Sequence, residues 1–401
     1  MFTSAVPKTD RTALSDETAE IIRQTLPVIG GNINIITPVF YRTMFANHPE
    51  LIADTFNRGN QRSGEQQKAL AASIVTFAAM LVDEKASDPV EMLSRIGHKH
   101  VSLGITADQY QIVHDNLFSA IVEVLGDAIT PEIAAAWDEV YWLMAEVLIN
   151  YEADLYKSAG VAAGDVFRKA TLTGKQQLTE LVTEYSFAGE DFADALAGQY
   201  VSIGVKLPDG ARQLRQYSLI GQDAEGFSIA VQSDGEVSNF LLNNVNIGDE
   251  VDATLPAGDL VLQDSDAPIV LVSQGIGSTP MTGMLASLVA TREQKRQSIV
   301  VLHADVSEAA YAQRATTERL VEALQERGPA EHVTAYRDQG QALVLEELHS
   351  AGKLPSHADW YLCGGTKFLQ NIREQLAADN SGLAPAGIHF ELFSPNDWLI
   401  S

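Results

Sequence analysis

The chain has 401 residues and a formal net charge of −26, which predicts two or three soluble globular domains rather than one. A negative field of this size repels nucleic acid and anionic membrane surfaces, so neither is expected as a partner. The single cysteine, Cys363, cannot form an internal disulfide, and no apolar run reaches the length of a signal peptide or a membrane span. We therefore expect a cytoplasmic protein.

Residues 1–158 carry helical patterns throughout and no alternating pattern typical of a strand. Ser15 and Thr130 stand where N-cap residues would begin two of the helices. The pair Gly30 and Gly31 is expected to break the first helical stretch. These features predict an all-α domain over residues 1–158.

The composition changes at 159–164, a stretch of small residues that we interpret as a linker. Short alternating segments follow and predict an antiparallel β-barrel domain over 159–265. From 266 to 401, buried-type strands alternate with helices, which indicates an α/β domain with a parallel sheet. The predicted fold class is therefore multidomain, with an all-α, an antiparallel β-barrel and an α/β parallel-sheet part.

One histidine lies on an apolar helix face. Leu93, Ile96 and His100 are spaced i, i+3 and i+7, so the imidazole of His100 shares that face. His98 is about 200° away around the helix and cannot point into the same pocket. An imidazole aimed at a helical core can ligate haem iron. The alternative, a core histidine bonded to a carbonyl, is favoured when His100 is considered alone.

Three polar residues elsewhere in the helical part could complete such a pocket. Tyr41 sits in an apolar stretch, and a buried hydroxyl needs a partner. Gln66 begins a helix with Leu70 one turn later, and the two could form the polar and apolar parts of a distal pocket. Glu152 lies near a buried helix face. The ordinary alternatives are core packing for Tyr41, a solvated helix start for Gln66 and a surface charge for Glu152.

A buried carboxylate at Glu152 would need a hydrogen-bond donor. Tyr110 or His100 could supply it. A bond from His100 would make the imidazole more electron-donating.

The stretch Arg212–Leu219 reads RQLRQYSL. In an extended segment Arg215 and Tyr217 point to one face, and Gln216 and Ser218 to the other. A flavin needs an aromatic cover, a guanidinium for its phosphates and small polar groups for its ring. An ordinary strand with an exposed arginine fits this stretch equally well.

Two neighbouring stretches flank this string. One ends at Tyr200, and the other, GEVSN, leads into a helix over Val237, Ser238 and Asn239. Backbone amides at such a helix start could receive a phosphate, although an ordinary turn is the alternative. PAGD at 256–259 is interpreted as a plain turn.

Gly-rich turns follow two buried-type strands in the last part. Gly275–Pro280 follows the first, with Thr279 expected to cap the next helix and Pro280 to open it. Cys363–Thr366 follows the second. Both turns should meet at the carboxyl edge of the sheet, which suits a dinucleotide pyrophosphate. Cys363 could then lie beside a nicotinamide or be a small buried hydrophobe.

A third strand ends at His303 and is followed by Asp305 and Glu308. An NADP 2′-phosphate would require arginine or lysine there. NADH is therefore the expected cofactor.

Taken together, these strings resemble the flavohaemoglobins over essentially the whole chain. They are PVFYRTMF, NQRSGEQQKAL, KHVSLGITADQY, INYEADLY, RQYSL, EVSN, PAGD, GIGSTPM, YLCGG and FELFSP, in the family's order. The resemblance implies a globin followed by a module similar to ferredoxin–NADP reductase. It also implies haem b, FAD and NAD(P)H as cofactors.

The resemblance assigns roles to individual residues. The haem residues are His100 as proximal ligand, Tyr110 and Glu152 as its hydrogen-bonding partners, Tyr41, Gln66 and Leu70 on the distal side, and Phe56 packed on the haem. The flavin residues are Tyr200, Arg215, Gln216, Tyr217, Ser218, Val237, Ser238, Asn239, Leu392 and Phe393. The nicotinamide residues are Gly275, Ile276, Gly277, Ser278, Thr279, Pro280, Cys363 and Gly364. Lys99 and Glu391 match a pair between haem and flavin.

Three positions depart from the family pattern. Gly365 replaces a usual proline, and Ser394 replaces a usual glycine. The loop before Gln66 is one residue longer.

The activity that the resemblance implies is that of a nitric oxide dioxygenase. Electrons from NAD(P)H would pass through FAD to the haem, where O2 and NO become nitrate. O2 and NO are thus the expected partners, and a monomer is the default expectation. Two alternatives are a flavin reductase for quinones or ferric complexes with a regulatory globin, and an oxygen carrier or gas sensor whose reductase keeps the iron ferrous.

Overall fold

The computed structural model describes residues 2–3, 6–54, 56, 58–290, 298–378 and 382–393. They form two compact units. The first contains the described residues up to Phe167 together with Gly204–Arg215, and the second contains Arg168–Ile203 and the described residues from Gln216 onward. Among the described residues, no helix combines the length and the apolar character needed to cross a bilayer.

Helices make up the first unit as far as Ser158. They are α1 (Asp16–Asn47), α2 (Pro49–Asp54), α3 (Arg58–Ser63), α4 (Glu65–Val82), α5 (Val90–Val101), α6 (Gln109–Leu125) and α7 (Pro131–Ser158). Ser15 Oγ accepts from the Thr18 amide at 3.1 Å. Thr130 Oγ1 accepts from the Ile133 amide at 3.4 Å. Both predicted N-caps are therefore present.

The predicted break at Gly30 and Gly31 is wrong, because α1 continues through both glycines. Each glycine in a helix interior costs roughly 1 kcal/mol relative to alanine. The same helix buries Ile29, Ile33 and Ile36 in the core, and full burial of each isoleucine contributes about 1.5–3 kcal/mol. Burial of the apolar face therefore outweighs the local preference of the glycines.

A closed antiparallel barrel follows. Its strands are β1 (Phe167–Gln177), β2 (Val182–Ala188), β3 (Tyr200–Lys206), β4 (Arg212–Gln222), β5 (Gly226–Gln232) and β6 (Glu250–Thr254), with α8 (Glu236–Asn244) between the last two. The strand order is β1-β2-β5-β4-β3-β6. Closure pairs the edges that an open sheet would leave exposed.

The remaining residues form a parallel sheet with helices. The strands are β7 (Ile269–Gln274), β8 (Ile299–Asp305), β9 (Ala330–Tyr336), β10 (Asp359–Cys363) and β11 (Gly387–Glu391), and the helices are α9 (Ser278–Ala290), α10 (Arg314–Gln325), α11 (Leu345–Ser350) and α12 (Thr366–Ala377). The order is β11-β10-β7-β8-β9, and each of the four pairs is parallel.

The register of this sheet places the ends of two central strands side by side, because Cys363 on β10 pairs with Ser273 on β7. The predicted fold class of helical, barrel and parallel-sheet parts is confirmed. The predicted domain limits of 1–158, 159–265 and 266–401 stay predictions.

A histidine in the sheet predicts acid sensitivity. His332 Nε2 on β9 is buried and has no hydrogen-bond partner among the described residues. Burial, followed by the charges of His303 and Arg314, lowers the pKa of His332 from 6.5 to about 4. Between these values the unfolded chain binds a proton that the folded chain does not, so stability falls as the pH drops through this window, by up to roughly 3 kcal/mol.

Calorimetry of the full chain between pH 7 and 4.5 measures this effect. We expect the melting temperature of the wild type to fall more steeply than that of His332→Phe. The exposed-site control His357→Phe should keep the wild-type slope. An identical slope for His332→Phe and wild type would contradict the assignment.

Candidate functional site

Three helices bring His100, Glu152 and Tyr110 together. His100 on α5 has its Nδ1 2.7 Å from Glu152 Oε1 on α7 and 3.1 Å from the hydroxyl of Tyr110 on α6. Tyr110 also donates to Glu152 Oε1 at 2.6 Å. Since a carboxylate only accepts, Nδ1 carries the proton and Nε2 keeps a lone pair. This tautomer suits an imidazole that ligates a metal.

Burial keeps the phenol of this cluster protonated. Glu152 is only 3% exposed. Burial, and then the neighbouring Glu152 charge, raises the pKa of Tyr110 far above its ordinary value. The Tyr110 hydroxyl therefore keeps its proton and donates a hydrogen bond to Glu152.

The residues around His100 fit a haem. The His100 side chain keeps 31% of its surface exposed, although Leu93 and Val101 on the same helix are completely buried. Its Nδ1 is engaged, so Nε2 is the nitrogen available to iron. His98 is buried and its ring lies edge-on to Tyr151, with centroids 5.9 Å apart. His98 therefore faces a different environment, as the helical geometry predicts.

The crossing of α5 and α7 depends on Gly97. A Cβ at this position would lie 2.5 Å from the ring of Tyr151, which is buried and bonded through its hydroxyl to Ser94 Oγ. We expect Gly97→Ala to destabilise the helical part by about 1–3 kcal/mol and to accelerate loss of haem to a scavenging protein. The exposed Gly31→Ala has no atom within 4 Å of its Cβ and serves as control. Equal haem loss in both variants would contradict this reading.

A second set of polar groups surrounds Tyr41 on α1. Tyr41 is buried, and burial raises its pKa well above the ordinary value, so the phenol stays protonated. The side-chain amide of Gln61 on α3 lies near this hydroxyl and opposes part of the rise in the pKa of Tyr41. Gln61 Nε2 in turn donates to Gln66 Oε1 at 2.9 Å. Gln61 therefore connects the two predicted distal residues, and Leu70 follows Gln66 by one turn on α4.

Aromatic rings pack around Tyr41. The ring of Phe56 lies edge-on to Tyr41, with centroids 6.0 Å apart, and to Phe45 at 5.2 Å. Gln61 was not among the predicted site residues. It belongs to the string NQRSGEQQKAL and lies in the stretch expected as the loop before Gln66, which instead contains α3.

The flavin string lies on β4, as its alternation predicts. Gln216 Nε2 donates to Ser202 Oγ on β3 at 2.9 Å, and Ser218 is buried. Arg215 and Tyr217 are only partly buried.

Tyr200 is buried beside Gly258, where a Cβ would lie 3.0 Å from the tyrosine ring. The PAGD turn, with Gly258 at φ +112°, is thus more than a plain turn, because it makes room for Tyr200.

The predicted phosphate turn opens α8. Ser238 Oγ accepts from the amides of Asp234 and Gly235, at 3.0 and 2.9 Å, and so fixes the turn itself. At the other end of α8, Lys175 Nζ donates to the carbonyls of Leu241, Leu242 and Val245, at 3.2, 2.6 and 3.0 Å. Lys175 was not predicted to have a role, because it lies on β1, more than sixty residues away from these carbonyls.

The two Gly-rich turns of the sheet do meet. A Cβ on Gly277 would lie 2.4 Å from the carbonyl oxygen of Cys363, so only glycine permits this approach.

The expected cap is wrong: Thr279 lies inside α9, and its hydroxyl donates to the Ile276 carbonyl. A 3-10 turn at Gly275–Gly277 precedes α9 and starts the helix earlier. The Cys363 thiol packs in the core, and burial raises its pKa.

The acidic residues after β8 are engaged within the chain. Asp305 lies 3.3 Å from His303 Nε2 and accepts from the Val306 amide at 2.6 Å. Glu308 forms an ion pair with Arg314. A guanidinium therefore lies near this strand end, which the sequence reading did not consider. The preference for NADH stays a prediction.

Lys99 and Glu391 belong to different units, and their predicted pairing stays a prediction. Lys99 is exposed on α5, and Glu391 ends β11. Leu392 is buried, whereas Phe393 is 50% exposed. Ser394 lies outside the described residues.

Known proteins share this organisation. The globin family model matches residues 39–148. A flavohemoprotein of Bacillus subtilis (strain 168) is 34% identical over 95% of this chain and 98% of its own length. One of Rhizobium meliloti (strain 1021) is 34% identical over 96% of this chain and 99% of its own length.

Solved structures agree with these relatives. The flavohemoglobin of Malassezia yamatoensis, determined with bound FAD and heme, has a TM-score of 0.85 and 35% identity, over 95% of this chain and 99% of that one. The FAD/NAD-binding domain of a nitric oxide dioxygenase from Vibrio cholerae has a TM-score of 0.50 and 31% identity, over 56% of this chain and 98% of that one. On its sequence and its fold, this chain belongs to the flavohaemoglobin family.

Proposed function

We propose that this chain is an NAD(P)H-dependent nitric oxide dioxygenase that holds haem and FAD and converts NO and O2 to nitrate. FAD would supply acceptance of a hydride from NAD(P)H and release of single electrons, and haem held by His100 would supply an iron for O2. The observation that carries the proposal is the buried set of bonds joining His100, Glu152 and Tyr110.

The carboxylate behind His100 favours catalysis over storage. An imidazole that donates to a carboxylate is more basic than one that donates to a backbone carbonyl. It therefore pushes more electron density onto a bound metal, which supports activation of O2 rather than its reversible carriage.

On the proposed distal side, the protonated phenol of Tyr41 can donate a hydrogen bond to a ligand bound at the iron. Gln61 lies near this phenol and donates a hydrogen bond to Gln66. In the second unit, the close approach of the turns at Gly277 and Cys363 supports a dinucleotide site at this sheet edge, where backbone amides would bind the pyrophosphate.

NO consumption by the full chain under air tests this function. With NADH present, we expect NO to disappear at a rate proportional to protein, with nitrate as the product and no turnover without O2. NADH oxidation by quinones or ferric complexes without NO consumption would instead support a reductase. An O2 complex that is indifferent to NO would support a carrier.

Lys175 is expected to affect flavin binding from the far end of α8. Its ammonium group neutralises the helix C-terminus and satisfies three carbonyls. In Lys175→Met we expect the FAD dissociation constant to rise by about tenfold, since hydrogen bonds to a charged group contribute about 1.5–3 kcal/mol. Release of FAD fluorescence on dilution measures it.

Lys169→Met is the matched control for this prediction. Lys169 lies on the same strand and pairs with Asp252 at the surface. Surface pairs contribute little, so its flavin affinity should remain that of the wild type. Equal effects in the two variants would contradict a role for α8 in holding the flavin.

A further inference from the structure

A buried glutamine holds the segment between α2 and α3 within the first unit. Gln213 on β4 is 1% exposed. Its Nε2 donates to the carbonyls of Ile52 and Phe56, at 3.1 and 3.2 Å. Its Oε1 accepts from the amide of Arg58 at 3.3 Å. One side chain therefore satisfies three backbone groups at the junction of α2 and α3.

An ion pair supports the same contact. Arg58 Nη1 lies 2.6 Å from Asp209 Oδ2, at the turn between β3 and β4. The arginine holds the pKa of Asp209 below its ordinary value. Because Asp209 is exposed, solvent screens this pair. Loss of the buried amide would leave backbone groups unsatisfied, so Gln213 is the stronger of the two contacts.

Phe56 connects the backbone bonded to Gln213 with the proposed distal side of the haem pocket. The Phe56 carbonyl is the acceptor for Gln213, and the Phe56 ring packs edge-on against Tyr41. A shift of this backbone would therefore move a ring that contacts the buried phenol.

We propose that Gln213 is a positioning residue for the distal side of the haem pocket. It fixes the backbone at Ile52, Phe56 and Arg58, so that Phe56 keeps the hydroxyl of Tyr41 in one orientation towards a bound ligand. The role of Tyr41 as a ligand donor rests on the proposed function, whereas the clamp on the backbone does not. Gln213 lies on β4, two residues before Arg215, which is predicted to bind the flavin.

Two measurements on the haem-loaded full chain test the proposal, and neither measures turnover. Hydrogen exchange reports the amide of Arg58, which Gln213 protects. The C–O stretching frequency of the carbon monoxide complex reports hydrogen bonding from Tyr41. In Gln213→Ala we expect exchange of the Arg58 amide to accelerate by about tenfold. The C–O frequency should shift in the same direction as in Tyr41→Phe, by a smaller amount.

Gln222→Ala is the matched control, because Gln222 lies on the same strand and donates one bond to the Ala195 carbonyl. It should change neither measurement. If Gln213→Ala does not retain haem, Gln213→Glu keeps the acceptor for Arg58 and loses both donated bonds, and the same two measurements apply.

Unchanged hydrogen exchange at Arg58 would show that Gln213 does not fix this backbone. Faster exchange with an unchanged C–O frequency would overturn the positioning role and leave a purely structural contact. Failure of the dioxygenase assay would alter neither result, so the two proposals can fail separately.

Discussion

Replacing His100 with alanine abolishes NO-dependent oxidation of NADH and leaves NADH-driven reduction of ferric or quinone acceptors essentially unchanged. His100 is the imidazole whose Nδ1 is fixed by Glu152 and Tyr110, so its loss removes the nitrogen that would bind iron. The residues predicted to hold nicotinamide lie in the second unit and keep their own core. An NO electrode and a dye-reduction assay on one preparation measure both activities.

His98→Ala is the control for this experiment. His98 is buried against Tyr151 and has no predicted contact with a cofactor. It should reduce stability but preserve haem content and NO turnover. Retention of haem by His100→Ala, together with its loss from His98→Ala, would show that the ligand is assigned to the wrong histidine.

Glu152→Gln should lower NO turnover by about 10–100-fold, the range found when the partner of a metal-bound histidine is removed. The amide keeps the shape of the side chain and loses the negative charge that polarises His100. The reduction potential of the haem should rise, because the less basic imidazole stabilises the oxidised iron less. A spectroelectrochemical titration measures that potential independently of turnover.

Tyr110→Phe separates charge from hydrogen bonding. It removes the phenol bonds to Glu152 and His100 but keeps the carboxylate. We expect its effect on the potential to be smaller than that of Glu152→Gln. A Glu152→Gln protein with the wild-type potential and wild-type turnover would show that the carboxylate does not act on the iron.

Local signals predicted much of the fold. The caps at Ser15 and Thr130 located the starts of α1, which carries Tyr41, and of α7, which carries Glu152. Helical periodicity placed His100 on an apolar helix face. The Gly-rich turns met because the ends of parallel strands share an edge, and the missing side chain of Gly277 allows that contact.

The errors and omissions arose where distant contacts decide the outcome. The glycine pair in α1 stays helical because the core needs that face. Gln61, Lys175 and Gln213 act on groups that a single sequence does not place beside them. Thr279 was misjudged because a preceding 3-10 turn changed which backbone group its hydroxyl meets. The resemblance supplied residue roles that no spacing rule contains.

Anaerobic stopped-flow mixing of NADH with the oxidised full chain tests the electron path most directly. We expect flavin absorbance to bleach first and the Soret band to shift afterwards to the reduced haem. The rate of the second phase should not depend on protein concentration, because both groups belong to one polypeptide. A haem that stays oxidised after the flavin is reduced, or one whose reduction rate rises with protein concentration, would contradict an internal path from nicotinamide to iron.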